Sequence, residues 1–259
     1  MSRPNSIEKV EIIERSLELH VPFSVAYGTT SQADLTLVKI TDSNGQYGIG
    51  ESAPPSYMNA KQKRICREKT ESLASQTRGL DCLDALKLIQ QSYEDYYPNY
   101  AMAYCAVELA LEQLHAKQTN QPLFGEFKSS SIKTCKTDLT IPLMPTQAVA
   151  PFWERFENHG FDLIKVKVSG DLDNDLEALQ EIDRVLPGYV QIFLDGNQGF
   201  SAESVSVFLR RLDQHNIRPP LFFEQPLPKH QWKELKELRQ SVETPICLDE
   251  SITTASDAM

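Results

Sequence analysis

From about residue 133 the sequence alternates short apolar strands with amphipathic helices, and this alternation constrains the fold more than any other feature. The predicted strands are, in order, TDLTI, LIKVKV, VQIFLD, PLFFE and PICLDE. Strand–helix units repeated at this length predict a parallel sheet covered by helices. An open doubly wound sheet and a (β/α)8 barrel are the two candidate architectures.

The residues before this point have a different pattern and predict a small α+β unit. The segment IEKVEIIERSLEL alternates like a strand, and a hairpin with a type I′ turn is predicted around Asn44-Gly45. Three helices are predicted next, over roughly 59–76, 82–95 and 99–117. We therefore expect an α+β domain over residues 1–130 and a second domain over residues 131–259.

Three acidic residues occupy the same place in successive strand–helix units. Asp195, Glu224 and Asp249 each end a predicted strand. Lys165 and Lys167 lie on the strand before them, and the two-residue period of a strand puts both lysines on one face. The C-terminal ends of barrel strands converge on one mouth, so in a barrel these five side chains would meet there.

Carboxylates and lysines in one place predict a particular chemistry. Three close carboxylates cannot all stay ionised in a dry site without a cation, and oxygen ligands without His or Cys favour Mg²⁺. A lysine beside a divalent cation and a second lysine is biased towards the neutral amine, which can act as a base. Taken singly, these residues could be a turn, a strand end before Pro226, a helix N-cap or solvent-facing lysines. Their coincidence at strand ends is what predicts a site.

The net charge and the cysteine pattern limit which partners and which cellular compartment we expect for this protein. The 259-residue chain has a net charge of −10 and a pI near 5.1, which disfavours nucleic acid and anionic membrane as partners. We find no apolar run of membrane-spanning length and no signal-peptide pattern. The five cysteines are scattered and form no C-x-x-C pair, so we expect reduced thiols in a cytoplasmic protein. These features are compatible with a homo-oligomer.

Four short motifs stand at the ends of the predicted strands: KVK (165–167), LDGNQG (194–199), FEQPL (223–227) and LDES (248–251). Together they resemble the enolase superfamily, in its muconate lactonizing enzyme subgroup, and the resemblance spans essentially the whole chain. It implies an α/β protein in which an N-terminal α+β capping domain precedes an incomplete (β/α)8-type barrel of about five strands. It also implies Mg²⁺ as cofactor and a lysine base that generates an enediolate.

The resemblance also gives each candidate residue a role. The implied Mg²⁺ ligands are Asp195, Glu224 and Asp249. Lys167 would be the acid/base that exchanges the α-proton of a carboxylate substrate. Lys165 would contact the substrate carboxylate and favour the neutral form of Lys167. Asn197 and Glu250 resemble residues that orient the metal ligands.

The segment KTDLTI (136–141) resembles the T-D-x-T-[IV] segment of dipeptide epimerases such as L-Ala-D/L-Glu epimerase, which would place Thr140 near a small dipeptide. Several Ala-Glu epimerases have an arginine near the loop where this chain has Tyr27-Gly28. This difference weakens the case for a glutamyl dipeptide, so a neutral or hydrophobic dipeptide remains an alternative substrate. The expected activity is Mg²⁺-dependent epimerisation of the dipeptide's C-terminal residue. A cycloisomerase or an o-succinylbenzoate synthase is the second interpretation. A non-catalytic metal- or peptide-binding remnant is the third.

The sequence stops at Met259, ten residues after Asp249. By resemblance, the subgroup's second catalytic lysine would lie about one strand–helix unit after Asp249. Epimerisation by two bases needs one base on each face of the α-carbon, and Lys167 is one of them. We therefore expect a C-terminally truncated epimerase that is inactive, or nearly so, by itself.

Overall fold

The computed structural model describes residues 5–25, 28–55, 58–96, 99–123 and 136–259. The chain divides into two compact units, one made of Met1–Pro22 and Thr30–Lys133 and the other of Phe23–Thr29 and Thr134–Met259. Each unit has its own hydrophobic core. The predicted domain boundary at 130/131 and the position of Tyr27 lie outside the described residues.

The first unit combines a three-stranded sheet with helices. The strands, in their order across the sheet, are β1 (Ile7–Val25), β2 (Gly28–Asp42) and β3 (Tyr47–Ser52), and β2 and β3 are antiparallel. The helices are α1 (Ala60–Ser75), α2 (Cys82–Gln91), the four-residue α3 (Tyr93–Tyr96) and α4 (Ala101–Thr119). Helix α4 buries one face, on which the buried residues recur at three- and four-residue spacings (Ala103, Tyr104, Ala106, Val107, Ala110, Leu111 and Leu114), whereas Leu109 on the other side is exposed.

The hairpin between β2 and β3 is present, but the prediction of a type I′ turn is wrong. A type I′ turn needs positive φ at both central residues. Gly45 has a φ of +80°, whereas Asn44 is not among the described non-glycine residues with positive φ. Instead, the N–H groups of Asn44 and Gln46 both donate to Asp42 Oδ1, at 2.9 Å each. The aspartate side chain therefore stabilises a different turn.

The second unit contains a five-stranded sheet whose strands follow one another in sequence order, with every neighbouring pair parallel. Its strands are β4 (Leu139–Ile141), β5 (Leu163–Lys167), β6 (Gln191–Asp195), β7 (Phe223–Glu224) and β8 (Ile246–Cys247). The helices that follow β4 to β7 are α5 (Val149–Phe156), α6 (Leu172–Val185), α7 (Ala202–Gln214) and α8 (Trp232–Ser241). A doubly wound sheet reverses its strand order, so this sequential order identifies a partial barrel and confirms the predicted fold class.

The ends of the helices in the second unit follow the local capping residues in some places and not in others. Ser201, a residue type favoured at N-caps, caps α7 in a reciprocal capping box with Ser204. Thr146 is also of a favoured N-cap type, but it begins a 3₁₀ turn that leads into α5, without a side-chain capping bond. Gly160 ends that segment with a φ of +77°, as is common for a glycine after a helix. Within the described ranges, we find no helix long and apolar enough to cross a membrane.

Candidate active site

The C-terminal ends of β5, β6 and β7 bring the predicted charged residues into one row. Lys167 pairs with Asp195 on β6, and Asp195 pairs with Glu224 on β7. Two residues earlier on β5, Lys165 pairs with Thr140 on β4. Paired residues of neighbouring strands project to the same face, and residues two apart on one strand do as well. The face of the sheet that lies opposite the helices therefore carries the side chains of Thr140, Lys165, Lys167, Asp195 and Glu224.

Two lysines and two carboxylates form a continuous chain of ion pairs in this row. Lys165 Nζ lies 2.7 Å from Asp195 Oδ2 and 2.8 Å from Glu224 Oε1. Lys167 Nζ lies 2.6 Å from the same Asp195 oxygen and donates to Asn197 Oδ1 at 2.7 Å. The Asp195 side chain is only 1% exposed, so the Nζ atoms of two lysines share one carboxylate oxygen that is shielded from water. Hydrogen bonds between charged groups are strong and short in such surroundings.

Burial and neighbouring charges shift three pKa values at this site. Burial lowers the pKa of Lys165, but its hydrogen bonds to Asp195 and Glu224 outweigh burial, and the net pKa is raised. Burial raises the pKa of Asp195, but the two lysines prevail and hold it below its usual value. For Glu224, burial prevails over Lys165, and the adjacent Asp195 adds to it, so that pKa is raised. The geometry thus favours an ammonium at Lys165 and a carboxylate at Asp195.

The remaining predicted residues lie at the ends of the next strands. Asp249 follows β8 and is exposed, and its charge contributes to the raised pKa of Glu224. Asn197 Nδ2 donates to Glu250 Oε1 at 3.4 Å. Glu250 Oε2 is buried and has no hydrogen-bond partner in the part of the chain that the structure describes. Asn197 therefore links the loop after β6 both to Lys167 and to the loop after β8.

Two residues that sequence reasoning missed hold the loops of this site. The Asp175 carboxylate, buried on α6, accepts the N–H groups of Ser169 and Gly170 just after β5, and burial raises its pKa. Gln225, directly after Glu224, is fully buried and its side chain bonds to the loop after β8. Asp175 could have been found in the sequence as an acidic residue on the apolar side of a predicted helix. Gln225 could have been found from its position inside the FEQPL motif.

The donor chemistry of the site fits Mg²⁺, although no ready-made cage is present. No three His, Cys, Asp or Glu side chains come together as a metal-binding group within the described ranges. Asp195 and Glu224 are adjacent and share Lys165 between them, while Asp249 stands at the end of the next strand. All three donors are carboxylate oxygens, which Mg²⁺ prefers. Lys165 would have to turn away for one cation to contact both Asp195 and Glu224.

Two family profiles match the chain. Residues 7–125 match the N-terminal domain of mandelate racemase/muconate lactonizing enzymes, and residues 148–259 match the enolase C-terminal domain-like family. A hydrophobic dipeptide epimerase from Citrifermentans bemidjiense is 30% identical over 92% of this chain and 66% of its own length. A D-Ala-D/L-Ala epimerase from Cytophaga hutchinsonii is 27% identical over 97% of this chain and 67% of its own length.

An o-succinylbenzoate synthase from Geobacillus stearothermophilus is also similar, with 29% identity over 98% of this chain and 66% of its own length. The chain thus spans about two thirds of the length of these curated relatives. A crystal structure of a dipeptide epimerase from Cytophaga hutchinsonii complexed with Mg and the dipeptide D-Ala-L-Val has a TM-score of 0.85 to this chain. It is 26% identical and covers 98% of this chain and 68% of that one. Most of these relatives are named as epimerases, a class of isomerase. The chain belongs to the enolase superfamily, with the N-terminal and C-terminal domains of its mandelate racemase/muconate lactonizing enzyme group.

Proposed function

We propose that this chain carries the metal ligands and one acid/base of a Mg²⁺-dependent dipeptide epimerase. The proposal rests on one observation: Lys165 and Lys167 pair with Asp195 and Glu224 at the C-terminal ends of three adjacent parallel strands. The similarity to several dipeptide epimerases supports it. In this proposal the cation is held by Asp195 and Glu224 together with Asp249.

Lys167 is the proton carrier in this proposal. Its side chain is 9% exposed, and its Nζ is fixed by Asp195 on one strand and Asn197 in the loop beyond it. A base held this firmly can meet the α-carbon of a bound dipeptide in one orientation, which lowers the entropic barrier to proton transfer. In its neutral form, Lys167 Nζ takes the α-proton of the C-terminal residue and becomes an ammonium ion, and the electron pair of the broken Cα–H bond moves into the carboxylate to give an enediolate.

Lys165 stabilises the charge that develops when the proton leaves. The two hydrogen bonds that raise its pKa keep it an ammonium ion, and it lies on the same face as Lys167. An ammonium ion that is oriented before the reaction stabilises a developing anion at little reorganisation cost. When bound, Mg²⁺ supplies further positive charge beside the substrate carboxylate. Thr140 lies on β4 and pairs with Lys165 on β5, and we propose that it contacts the dipeptide.

We propose a neutral or hydrophobic dipeptide as the substrate. The sequence has Tyr27-Gly28 near the position where several Ala-Glu epimerases have an arginine, and a hydrophobic dipeptide epimerase is among its relatives. Without that arginine we expect substrate discrimination to come from apolar contact rather than from an ion pair with a glutamate side chain. We propose that the enzyme works in the cytoplasm.

The experiment is proton exchange in D₂O, followed by NMR at the α-carbon of the C-terminal residue. We would compare L-Ala-L-Glu with L-Ala-L-Leu, with and without Mg²⁺. We expect Mg²⁺-dependent deuterium incorporation, faster for the apolar dipeptide. Because Lys167 serves one face of the α-carbon, we expect it to exchange the α-proton of one diastereomer with retention of configuration.

Three outcomes would contradict parts of this proposal. Exchange at the same rate with and without Mg²⁺ would refute the proposed dependence on the metal. Elimination of water from a succinylbenzoate precursor, without exchange in dipeptides, would favour the second candidate, which the similarity to an o-succinylbenzoate synthase supports. Stabilisation of the fold by Mg²⁺ without exchange in any substrate would favour a non-catalytic metal-binding protein.

A further inference from the structure

Gln225 has a backbone conformation that is unusual for a residue with a side chain. It follows Glu224 at the end of β7 and has a φ of +32°, in the left-handed region. Asn197 and Gln198, in the neighbouring loop after β6, are also left-handed, with φ of 40° and 70°. Strained backbone of this kind costs free energy and is retained where the surrounding structure requires it. A glycine would adopt this φ at lower cost, so a glutamine here indicates that its side chain is needed.

The Gln225 side chain connects Glu224 to the segment that carries Asp249. Gln225 Oε1 accepts the N–H of Asp249 at 3.0 Å and the N–H of Ser251 at 3.1 Å. Gln225 Nε2 donates to Ser251 Oγ at 2.8 Å and to the Leu227 carbonyl at 2.9 Å. The side chain is completely buried, so all of these bonds form away from water.

The main chain of Gln225 fixes the same junction from the other side. Its N–H donates to the Cys247 carbonyl at 2.9 Å, and its carbonyl accepts the N–H of Gln198 at 2.8 Å. One residue therefore joins the ends of β6, β7 and β8. Glu224 directly precedes Gln225 in the chain. Beyond β8, the amide oxygen of Gln225 first contacts Asp249, whose N–H it accepts. Asp249 itself is exposed.

We propose that Gln225 is a positioning residue: its amide oxygen holds the Asp249 main chain beside Glu224, so that the two carboxylates can bind one divalent cation. This inference rests on the proposed function, because it assumes that these acids bind Mg²⁺. A simple packing role would need only the buried volume of the side chain. The positioning role needs the acceptor oxygen and predicts an effect on cation affinity beyond any effect on folding.

The test compares two substitutions, one that removes the amide oxygen of Gln225 and one that leaves both hydrogen bonds to that oxygen in place. Gln225→Met keeps the length of the side chain but removes all four hydrogen bonds. Ser251→Ala removes the Oγ acceptor of Nε2, together with the hydrogen bond that Oγ donates to the Lys229 carbonyl, and leaves both bonds to Oε1 intact. If Gln225→Met does not fold, Gln225→Gly replaces it, because glycine accepts the positive φ and still removes the amide.

Two measurements are made on the full 259-residue chain. Titration calorimetry gives the Kd for Mg²⁺, and hydrogen exchange reports protection of the Asp249 and Ser251 amides without metal. We expect Gln225→Met to weaken Mg²⁺ binding about 10- to 100-fold and to lose protection at both amides. We expect Ser251→Ala to keep its Kd within about twofold of the wild type, even if it melts at a lower temperature.

The outcomes separate this inference from the proposed function. If the wild type binds Mg²⁺ and Gln225→Met binds it equally well, the positioning role is wrong and the metal site stands. If both substitutions weaken binding to the same degree, the bonds to Oε1 contribute nothing specific to cation binding, which also overturns the inference. If the wild type does not bind Mg²⁺, the proposed metal site fails and the inference fails with it.

Discussion

Replacing Gly170 by alanine tests how closely the loops after β5 and β6 approach each other at the site. Gly170 has a φ of +90°, and a Cβ built on it would stand 2.3 Å from the carbonyl oxygen of Gly199. Both groups are held by backbone, so no flexible side chain can move aside. Gly160 is a matched control in the same unit, because its φ is +77° and a Cβ there has nothing within 4 Å.

Both substitutions force an alanine into a left-handed backbone conformation, but only Gly170→Ala also creates a steric clash. The left-handed conformation costs an alanine about 1–2 kcal/mol, and Gly160→Ala should lose only that amount. Gly170→Ala should lose the same amount and about 1–3 kcal/mol more for forcing a Cβ into occupied space. The total of about 2–5 kcal/mol is a large part of the stability of an ordinary domain.

Urea denaturation followed by tryptophan fluorescence measures this difference. Both tryptophans, Trp153 and Trp232, lie in the second unit, so the signal reports the unit that contains the substitution. We expect the free energy of unfolding to fall by clearly more for Gly170→Ala than for Gly160→Ala. Losses that agree within about 0.5 kcal/mol would show that the two loops are not in contact and would refute the reasoning.

Three further substitutions have expected outcomes in related assays. Asp195→Ala leaves two largely buried lysines without their shared carboxylate and should cost about 3–5 kcal/mol near neutral pH. Because the fold lowers the pKa of Asp195, its contribution is present above the ordinary value of 3.8 and is lost as pH falls through the folded value. Wild type and variant should therefore converge in a pH series under acid conditions. Arg218→Lys removes a guanidinium that donates to four main-chain carbonyls between residues 183 and 190, and should cost about 1–3 kcal/mol by the same fluorescence assay. Gly50→Ala places a Cβ 1.8 Å from the Ala106 carbonyl oxygen on α4, so far-UV circular dichroism should show an early transition while the tryptophan transition stays in place.

The strand–helix alternation was enough to predict the sheet of the second unit. Strands β5 to β8 each carry a short apolar run, and Ser201 marks the start of α7 with a local hydrogen bond. Signals of this kind depend on residues close together in the chain. The period of two on β5 likewise fixed the common face of Lys165 and Lys167.

Other features depend on contacts between distant segments and were not predictable. The turn after β2 is a local exception: the Asp42 side chain, two residues before Asn44, determines the turn and overrides the usual preference of Asn44-Gly45. At the site, the motifs placed carboxylates at neighbouring strand ends, but the sharing of Lys165 between Asp195 and Glu224 depends on side-chain orientation. The role of Gln225 depends on bonds to residues 24 and 26 positions away in sequence, which no local pattern reports.

The central claim is that Lys167 moves the α-proton of a carboxylate substrate at a Mg²⁺ site. The most direct measurement is deuterium incorporation into a dipeptide by Lys167→Met, beside Lys136→Met as a control. Lys136 is 83% exposed and pairs with Asp162 on the surface, so its loss should leave exchange unchanged. We predict Mg²⁺-dependent exchange in the wild type and in Lys136→Met, and a loss of about 100-fold or more in Lys167→Met. Exchange at the wild-type rate in Lys167→Met would contradict the account.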